Sequence, residues 1–391
     1  MGFVKSLYEE EIKGAKHTVK EIHQQPELWL QTVGTIEKQK VAIQNFITQK
    51  IFAKQARIIF TGAGTSAYVG DTLTPQLRKA LPYQIDSIST TDIVTNPLNY
   101  FKAEVPTVLV SFARSGNSPE SLATYTLANK LINNISQIII TCNPEGQLAK
   151  EAGKDENTFL LLMPEDSNDQ GFAMTSSFSC MYLSALLIFQ LDRLEELKRK
   201  IEVVSKNADR ILTQQYKSIK NLVSLNKKRV VYLGSSTLKG LAQEASLKHL
   251  ELTSGKIPTF HESVLGFRHG PKSLIDDETL IFVFISNDPY TRKYEIDLLQ
   301  ELKKDGGSKT VVAVANTNEK EIAEICDSAF LIPEQENIYL EDHLIALNYL
   351  IVGQLFALFN SIHLGVTPDN PSPTGMVNRV VKGVNIYNFK K

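Results

Sequence analysis

Val108-Leu-Val-Ser-Phe-Ala-Arg-Ser-Gly-Asn-Ser-Pro-Glu-Ser121 reads as a buried strand, a polar turn and the start of a helix. Val108, Leu109 and Val110 form a continuous apolar run of β-formers, the pattern of a parallel strand covered on both faces. Ser115, Gly116, Asn117 and Ser118 supply the turn, with Ser118 at a position suited to an N-cap and Pro119 at the first helical position. The N–H groups of that first turn point into a loop rich in hydroxyls, which is the makings of an anion site, although an ordinary capped βα turn has the same composition.

Arg57-Ile-Ile-Phe-Thr-Gly-Ala-Gly-Thr-Ser-Ala67 repeats the arrangement: strand, glycine-rich turn, hydroxyl pair. Gly62 and Gly64 permit close backbone approach, and Thr65 and Ser66 place donors at a helix start. The third glycine of a dinucleotide fingerprint is missing, as is the Gly-Lys-Ser/Thr of a P-loop. Two such loops at the ends of neighbouring strands can close on one small phosphate. Gly62-Ala-Gly-Thr-Ser66 together with Ser115-Gly-Asn-Ser118 resembles the sugar isomerase (SIS) domain, a fold that binds phosphosugars.

Working outward, strands are expected at 57–61, 84–88, 106–111, 136–142 and 158–163, with helices at 66–80, 118–133 and 173–195. Alternation of this kind predicts an α/β fold with a parallel sheet covered on both faces. A polar helix over 196–225 leads into a second half that echoes the first. Gly62 and Gly234, Ser111 and Ser286, and Asn143 and Asn316 lie roughly 172 to 175 positions apart, as in a duplicated domain. The expected organisation is an N-terminal helical arm (1–50), two tandem doubly wound SIS domains (51–200 and 201–375) and a C-terminal tail (376–391). Trp29, Val33, Ile36, Val41 and Ile43 give the arm an apolar stripe, interrupted at His23-Gln-Gln-Pro26. The second copy replaces the hydroxyl loop with Ser286-Asn-Asp-Pro-Tyr290, whose acid a phosphate would avoid, so the phosphate belongs to the first copy.

The chain has 391 residues and a formal net charge of −1, which gives no electrostatic case for nucleic acid or an anionic membrane. Cys142, Cys180 and Cys326 lack metal spacing and read as reduced thiols, so a cytoplasmic location is expected. No apolar run reaches the roughly 18 residues of a membrane span, and the N-terminus does not read as a signal peptide. No cluster has metal-ligand spacing, and neither a metal nor another cofactor is expected.

Two stretches of the second half carry candidate chemistry. In Ala242-Gln-Glu-Ala-Ser-Leu-Lys-His-Leu-Glu-Leu252, Glu244, Lys248 and Glu251 share a helix face at i, i+4 and i+7, a spacing equally suited to a solvated face of ion pairs. In Gly266-Phe-Arg-His-Gly-Pro271, His269 sits in a loop shaped by Gly270 and Pro271. Lys248-His-Leu-Glu251 followed by His269-Gly-Pro271 resembles the isomerase domain of glucosamine-6-phosphate synthase. The resemblance implies Glu251 as the base that moves a proton between C1 and C2, His269 as the residue that opens the sugar ring, Lys248 beside the base, and Lys382 of the tail over the sugar. Where that enzyme has serine and glutamine before its Ser-Gly, this chain has Ala113 and Arg114. No glutaminase portion is expected, since about 50 residues ahead of the first domain cannot hold one.

Longer motifs narrow the family. Thr61-Gly-Ala-Gly-Thr-Ser66, Thr90-Thr-Asp-Ile-Val-Thr-Asn-Pro97, Ser115-Gly-Asn-Ser-Pro-Glu-Ser121, Gly171-Phe-Ala-Met-Thr-Ser-Ser177, Gly266-Phe-Arg-His-Gly-Pro-Lys-Ser273 and Asn378-Arg-Val-Val381 are similar to the AgaS family of D-galactosamine-6-phosphate deaminase/isomerases, also labelled tagatose-6-phosphate ketose/aldose isomerases. The resemblance implies a phosphosugar substrate held by Gly64, Thr65, Ser66, Arg114, Ser115, Asn117 and Ser118. The sequence does not identify the residue that activates the hydrolytic water: Glu251 is a candidate, ahead of Glu262 and His261. The resemblance also implies at least a homodimer, with His269 serving the neighbouring subunit's site. Two rivals remain at this point: isomerisation without deamination, and a phosphosugar sensor that dispenses with the base.

Overall fold

The computed structural model describes residues 14–318, 320–381 and 383–390. Its strands are β1 (Arg57–Thr61), β2 (Ile85–Ser87), β3 (Thr107–Ala113), β4 (Ile135–Thr141) and β5 (Thr158–Leu162), then β6 (Arg229–Leu233), β7 (Thr259–Glu262), β8 (Thr279–Ile285), β9 (Thr310–Asn316) and β10 (Ser328–Ile332). They form two five-stranded parallel sheets with one strand order, β2-β1-β3-β4-β5 and β7-β6-β8-β9-β10. The α/β class and the tandem parallel sheets are those expected. All seven residues of β3 are buried, as its unbroken apolar run requires of a central strand.

Contacts group the chain into two units. One holds the second sheet with the described residues through Pro26, Gln170–Ala173 and Lys198–Pro371; the other holds the first sheet with Glu27–Asp169, Met174–Leu197 and Ser372 onward. The N-terminal helical stretch is therefore divided between them. Its break falls at Gln24, between helices Lys16–His23 and Gln25–Ile47, and Pro26 lies in the first turn of the second helix, where a missing N–H costs little. Trp29, Val33, Ile36 and Ile43 are buried, but Val41 is 74% exposed. Five residues beyond Ile36, Val41 is turned about 140° away from the apolar stripe.

The expected helix over 173–195 is two elements. Ser176–Phe189 is buried along its whole length and stops at Gln190; the polar helix starts at Leu194 and runs, with a π turn at Ile211–Gln215, to Val223. The strands β7 and β10 had no expectation, because four half-buried residues (Thr-Phe-His-Glu in β7) and a partly exposed edge in β10 leave little apolar pattern.

Register corrects one internal equivalence. Thr61 pairs with Ser111 in the first sheet and Leu233 pairs with Val283 in the second, so Val283 rather than Ser286 is the counterpart of Ser111. The membrane expectation also needs correction. Among the described residues, the helix Asp342–His363 is long and apolar enough to cross a membrane. It is a core helix: every residue from His343 to Ser361 is buried, and it packs along the helix Thr237–Leu252.

Candidate active site

In both sheets the strand order reverses at the central pair, β1/β3 and β6/β8, and open parallel sheets bind ligands outside the carboxyl ends of such a pair. In the first sheet these ends carry the two hydroxyl loops. A Cβ on Gly62 would lie 2.5 Å from the backbone carbon of Ser66, so only glycine lets the turn close against the helix Thr65–Ala80. Gly64 opens that helix at φ +55°, ψ −129°, without a side-chain cap. Thr65 and Ser66 are buried. Among the described residues the buried hydroxyls of Thr61, Thr65 and Ser111 have no hydrogen-bond partner, and that of Ser66 meets only Met174 Sδ at 3.9 Å.

The second loop is similarly uncapped. Ser118 stands at the N-cap position of the helix Pro119–Leu131, but its hydroxyl donates to Ser121 Oγ (2.6 Å) and caps nothing, contrary to expectation. Asn117 shapes the loop: its Oδ1 accepts from Gln147 N (2.9 Å) and its own N–H donates to Ser115 Oγ (3.3 Å). Asn143 Nδ2 holds the Ser115 carbonyl at 3.0 Å. Two helix N-termini without side-chain caps, flanked by buried hydroxyls that have no partner among the described residues, can satisfy the oxygens of one phosphate.

The second sheet keeps the backbone and changes the occupant. Ser236 opens the helix Thr237–Leu252 at φ +53°, ψ −122°, nearly the conformation of Gly64, although it carries a side chain. Here, however, the chain supplies its own carboxylates. Asp288 caps the helix Pro289–Lys304 through Tyr290 N (3.1 Å) and Thr291 N (2.9 Å). Glu295 accepts from Ser286 N (2.6 Å), and Asp342 accepts from Ser286 Oγ (2.6 Å) and Asn287 N (2.7 Å). Burial pushes the Glu295 carboxyl up to about 8, against hydrogen bonds from Ser286 and Ser235 that act to lower it. In the second sheet the donors of this loop are consumed internally.

The Glu244–Lys248–Glu251 face is not solvated. Glu244 and Lys248 are 0% and 1% exposed at their side chains and Glu251 is 24% exposed. Lys248 Nζ lies 3.7 Å from Glu244 Oε1 and is hydrogen-bonded to Glu251 Oε2. A carboxylate in the last turn of a helix opposes the macrodipole, and Lys248 offsets this for Glu251. The neighbouring His249 is a core residue: it meets Tyr232 Oη (2.9 Å) and Asn360 Nδ2 (2.8 Å), and burial lowers it to about 3, so it is neutral.

His269 is exposed in the turn that follows the helix Val264–Phe267, and its imidazole makes no hydrogen bond among the described residues. The turn is fixed on both sides of it, by Arg268 on Glu301 (2.8 Å) and by Lys272 on Glu301 and on Asp305 (2.6 Å). Glu262 is engaged with Lys239 (2.7 Å) and Ser263 N (2.6 Å); burial raises its carboxyl, but these partners outweigh burial and leave it below its ordinary value. His261 is half-buried beside Phe260. Lys382 lies outside the described residues.

The SIS domain family model matches residues 51–191 and 225–363, one match on each sheet. The chain belongs to the SIS family. It is 43% identical over 381 residues to D-galactosamine-6-phosphate deaminase AgaS of Shewanella sp. (strain ANA-3), covering 97% of this chain and 93% of that one. A solved structure from Clostridium novyi NT superimposes with a TM-score of 0.95 at 49% identity over 97% of each chain. A second, tagatose-6-phosphate ketose/aldose isomerase from Escherichia coli, gives 0.88 at 39% identity, over 96% of this chain and 97% of that one. Within this SIS chain, sequence reasoning missed Thr61, Ser111 and Arg379. The first two are strand residues whose lack of partners only the structure reveals. Arg379 Nη2 donates to the Asp169 carbonyl, and its own carbonyl accepts from Arg114 Nη2 at 2.9 Å.

Proposed function

We propose that this protein deaminates and isomerises D-galactosamine 6-phosphate to tagatose 6-phosphate and ammonia, in amino sugar catabolism. The relatives supply the reaction class. The observation in the structure that carries the reading is the contrast between the two switch points: uncapped helices and partnerless buried hydroxyls in the first sheet, internal carboxylates in the second. The phosphate is held by Gly64, Thr65, Ser66, Ser115 and Ser118, with Asn117 shaping the loop. Binding energy from this remote dianion positions the reacting carbons.

His269 moves the ring proton between O5 and O1, opening the sugar. Glu251 takes the proton from C2, giving an enolamine, and returns it to C1, which leaves an imine at C2. Water adds to C2, and the carbinolamine expels ammonia to leave the ketose. Glu251 is the first candidate to activate that water, since the Glu262 carboxylate is engaged with Lys239. Lys248 is hydrogen-bonded to Glu251 and holds it in place on the helix.

The exposure of His269, without a hydrogen-bond partner among the described residues, supports at least a homodimer in which it serves the neighbouring subunit. The free thiols Cys142, Cys180 and Cys326 support a cytoplasmic location. The name of the E. coli structure favours a second reading, isomerisation alone. Ammonia and ketose are to be assayed over galactosamine 6-phosphate, glucosamine 6-phosphate and tagatose 6-phosphate. Ammonia from the galactosamine ester supports the deaminase; ketose–aldose interconversion without ammonia would establish the isomerase instead, and absence of any turnover would leave a sensor.

A further inference from the structure

We infer that Arg114 is a positioning residue that pins the C-terminal segment to the loop after β3, rather than a ligand of the substrate phosphate as its place beside Ser115 first implies. The inference rests on the reading above for its kinetic arm only.

Arg114 follows β3 directly and is 6% exposed. Its Nη2 donates to the main-chain carbonyl of Arg379 at 2.9 Å. The Arg379 guanidinium donates in turn to the carbonyl of Asp169. Asp169 is itself immobilised: its buried carboxylate accepts from the N–H groups of Thr175 (2.8 Å), Ser176 (3.1 Å) and Ser177 (2.9 Å) at the start of the helix Ser176–Phe189. The segment around Arg379 is therefore clamped between the phosphate loop and a rigid helix start.

Ten residues on, the segment is tied a second time. Lys130 Nζ donates to the Phe389 carbonyl (2.7 Å), and the Phe389 ring packs on the cluster that contains Ile93 and Leu131. Between the two ties no helix or strand forms among the described residues, and Val381, Ile386 and Tyr387 are 54%, 41% and 84% exposed. A stretch with so little packing of its own takes its place from its ends. The tie at Arg379 stands three positions ahead, in the sequence, of Lys382, the residue that the resemblance puts over the sugar. A charge-assisted hydrogen bond from a buried guanidinium is the stronger kind, and carbonyl acceptance makes it independent of the side chain at position 379.

The test uses the full chain with Arg114→Ala, Arg114→Lys and Arg379→Ala, read by amide hydrogen exchange and by steady-state kinetics. Peptides covering 376–390 are expected to exchange about 10-fold faster or more in Arg114→Ala, and to an intermediate degree in Arg114→Lys. On galactosamine 6-phosphate kcat should fall about 10-fold, while KM and inhibition by inorganic phosphate stay within about 3-fold. Arg379→Ala, an exposed change that spares the core, keeps the carbonyl but loses the Asp169 tie. It should loosen the same peptides less, and it carries the test with Arg114→Lys if Arg114→Ala does not fold. Unchanged exchange together with phosphate inhibition weakened 10-fold would overturn the inference and make Arg114 a phosphate ligand. If the unmodified protein releases no ammonia, the proposed reaction fails, and the exchange data still decide the role of Arg114.

Discussion

Replacing Lys248 by Met removes the cation from a buried charge cluster and keeps most of the side-chain volume. Glu244 is fully buried with Lys248 Nζ at 3.7 Å, whereas Glu251 is 24% exposed and can turn to water. The cost therefore falls on Glu244. Losing one partner of a buried pair costs about 3–5 kcal/mol. A ceiling follows from the escape route: Glu244 can fold as the neutral acid, and protonating a carboxyl with an ordinary value near 4.3 costs about 3.7 kcal/mol at pH 7 and about 1 kcal/mol at pH 5. Protonating the abandoned Glu244 costs less as pH falls, so the loss shrinks toward lower pH. Urea unfolding of Lys248→Met should accordingly show a loss of about 3–3.7 kcal/mol at pH 7 that shrinks to about 1 kcal/mol at pH 5. Adding Glu244→Gln should recover most of it at pH 7. A loss that is the same at both pH values, or none at pH 7, would refute the reasoning and mean that water or another group already compensates Glu244.

Other expectations follow from the same geometry. Glu251→Gln keeps shape but removes the base, so kcat should fall about 10²–10⁴-fold with KM little changed, and product formed in D₂O by the unmodified enzyme should carry deuterium at C1; near-normal turnover of the variant would remove Glu251 from the mechanism. Ser66→Ala should raise KM about 10-fold or more through loss of a charge-assisted hydrogen bond of about 1.5–3 kcal/mol, and an unchanged KM would move the phosphate elsewhere. Glu295, raised to about 8, holds a proton in the folded state that the unfolded chain has released above its ordinary 4.5. Stability should thus decline between those values by up to about 1.4 kcal/mol per pH unit, and Glu295→Gln should flatten that decline in thermal melts. Mixing Glu251→Gln with His269→Ala subunits should restore activity through hybrid dimers, and failure despite proven subunit exchange would assign each histidine to its own subunit.

Much of this architecture is local and can be read from the chain. The unbroken apolar run of β3 requires a strand covered on both faces, and Gly62 is required where a Cβ would strike Ser66, so strand, turn and helix are specified within a dozen residues. The tandem organisation is equally legible, because each half carries its own strand–turn–helix signals. What the chain could not specify depends on neighbours distant in sequence. The i, i+4, i+7 spacing of Glu244, Lys248 and Glu251 is the same on a wet surface and in a buried relay; the helix Asp342–His363, packed along theirs, decides for burial. Val283, not Ser286, answers Ser111 because register is set by pairing between strands, to which local composition is blind. The second switch point is filled by Glu295 and Asp342, which lie beyond the loop they satisfy, and Arg114 meets a carbonyl 265 positions away. Periodicity records which face a residue occupies, and only the packed fold determines what stands opposite it.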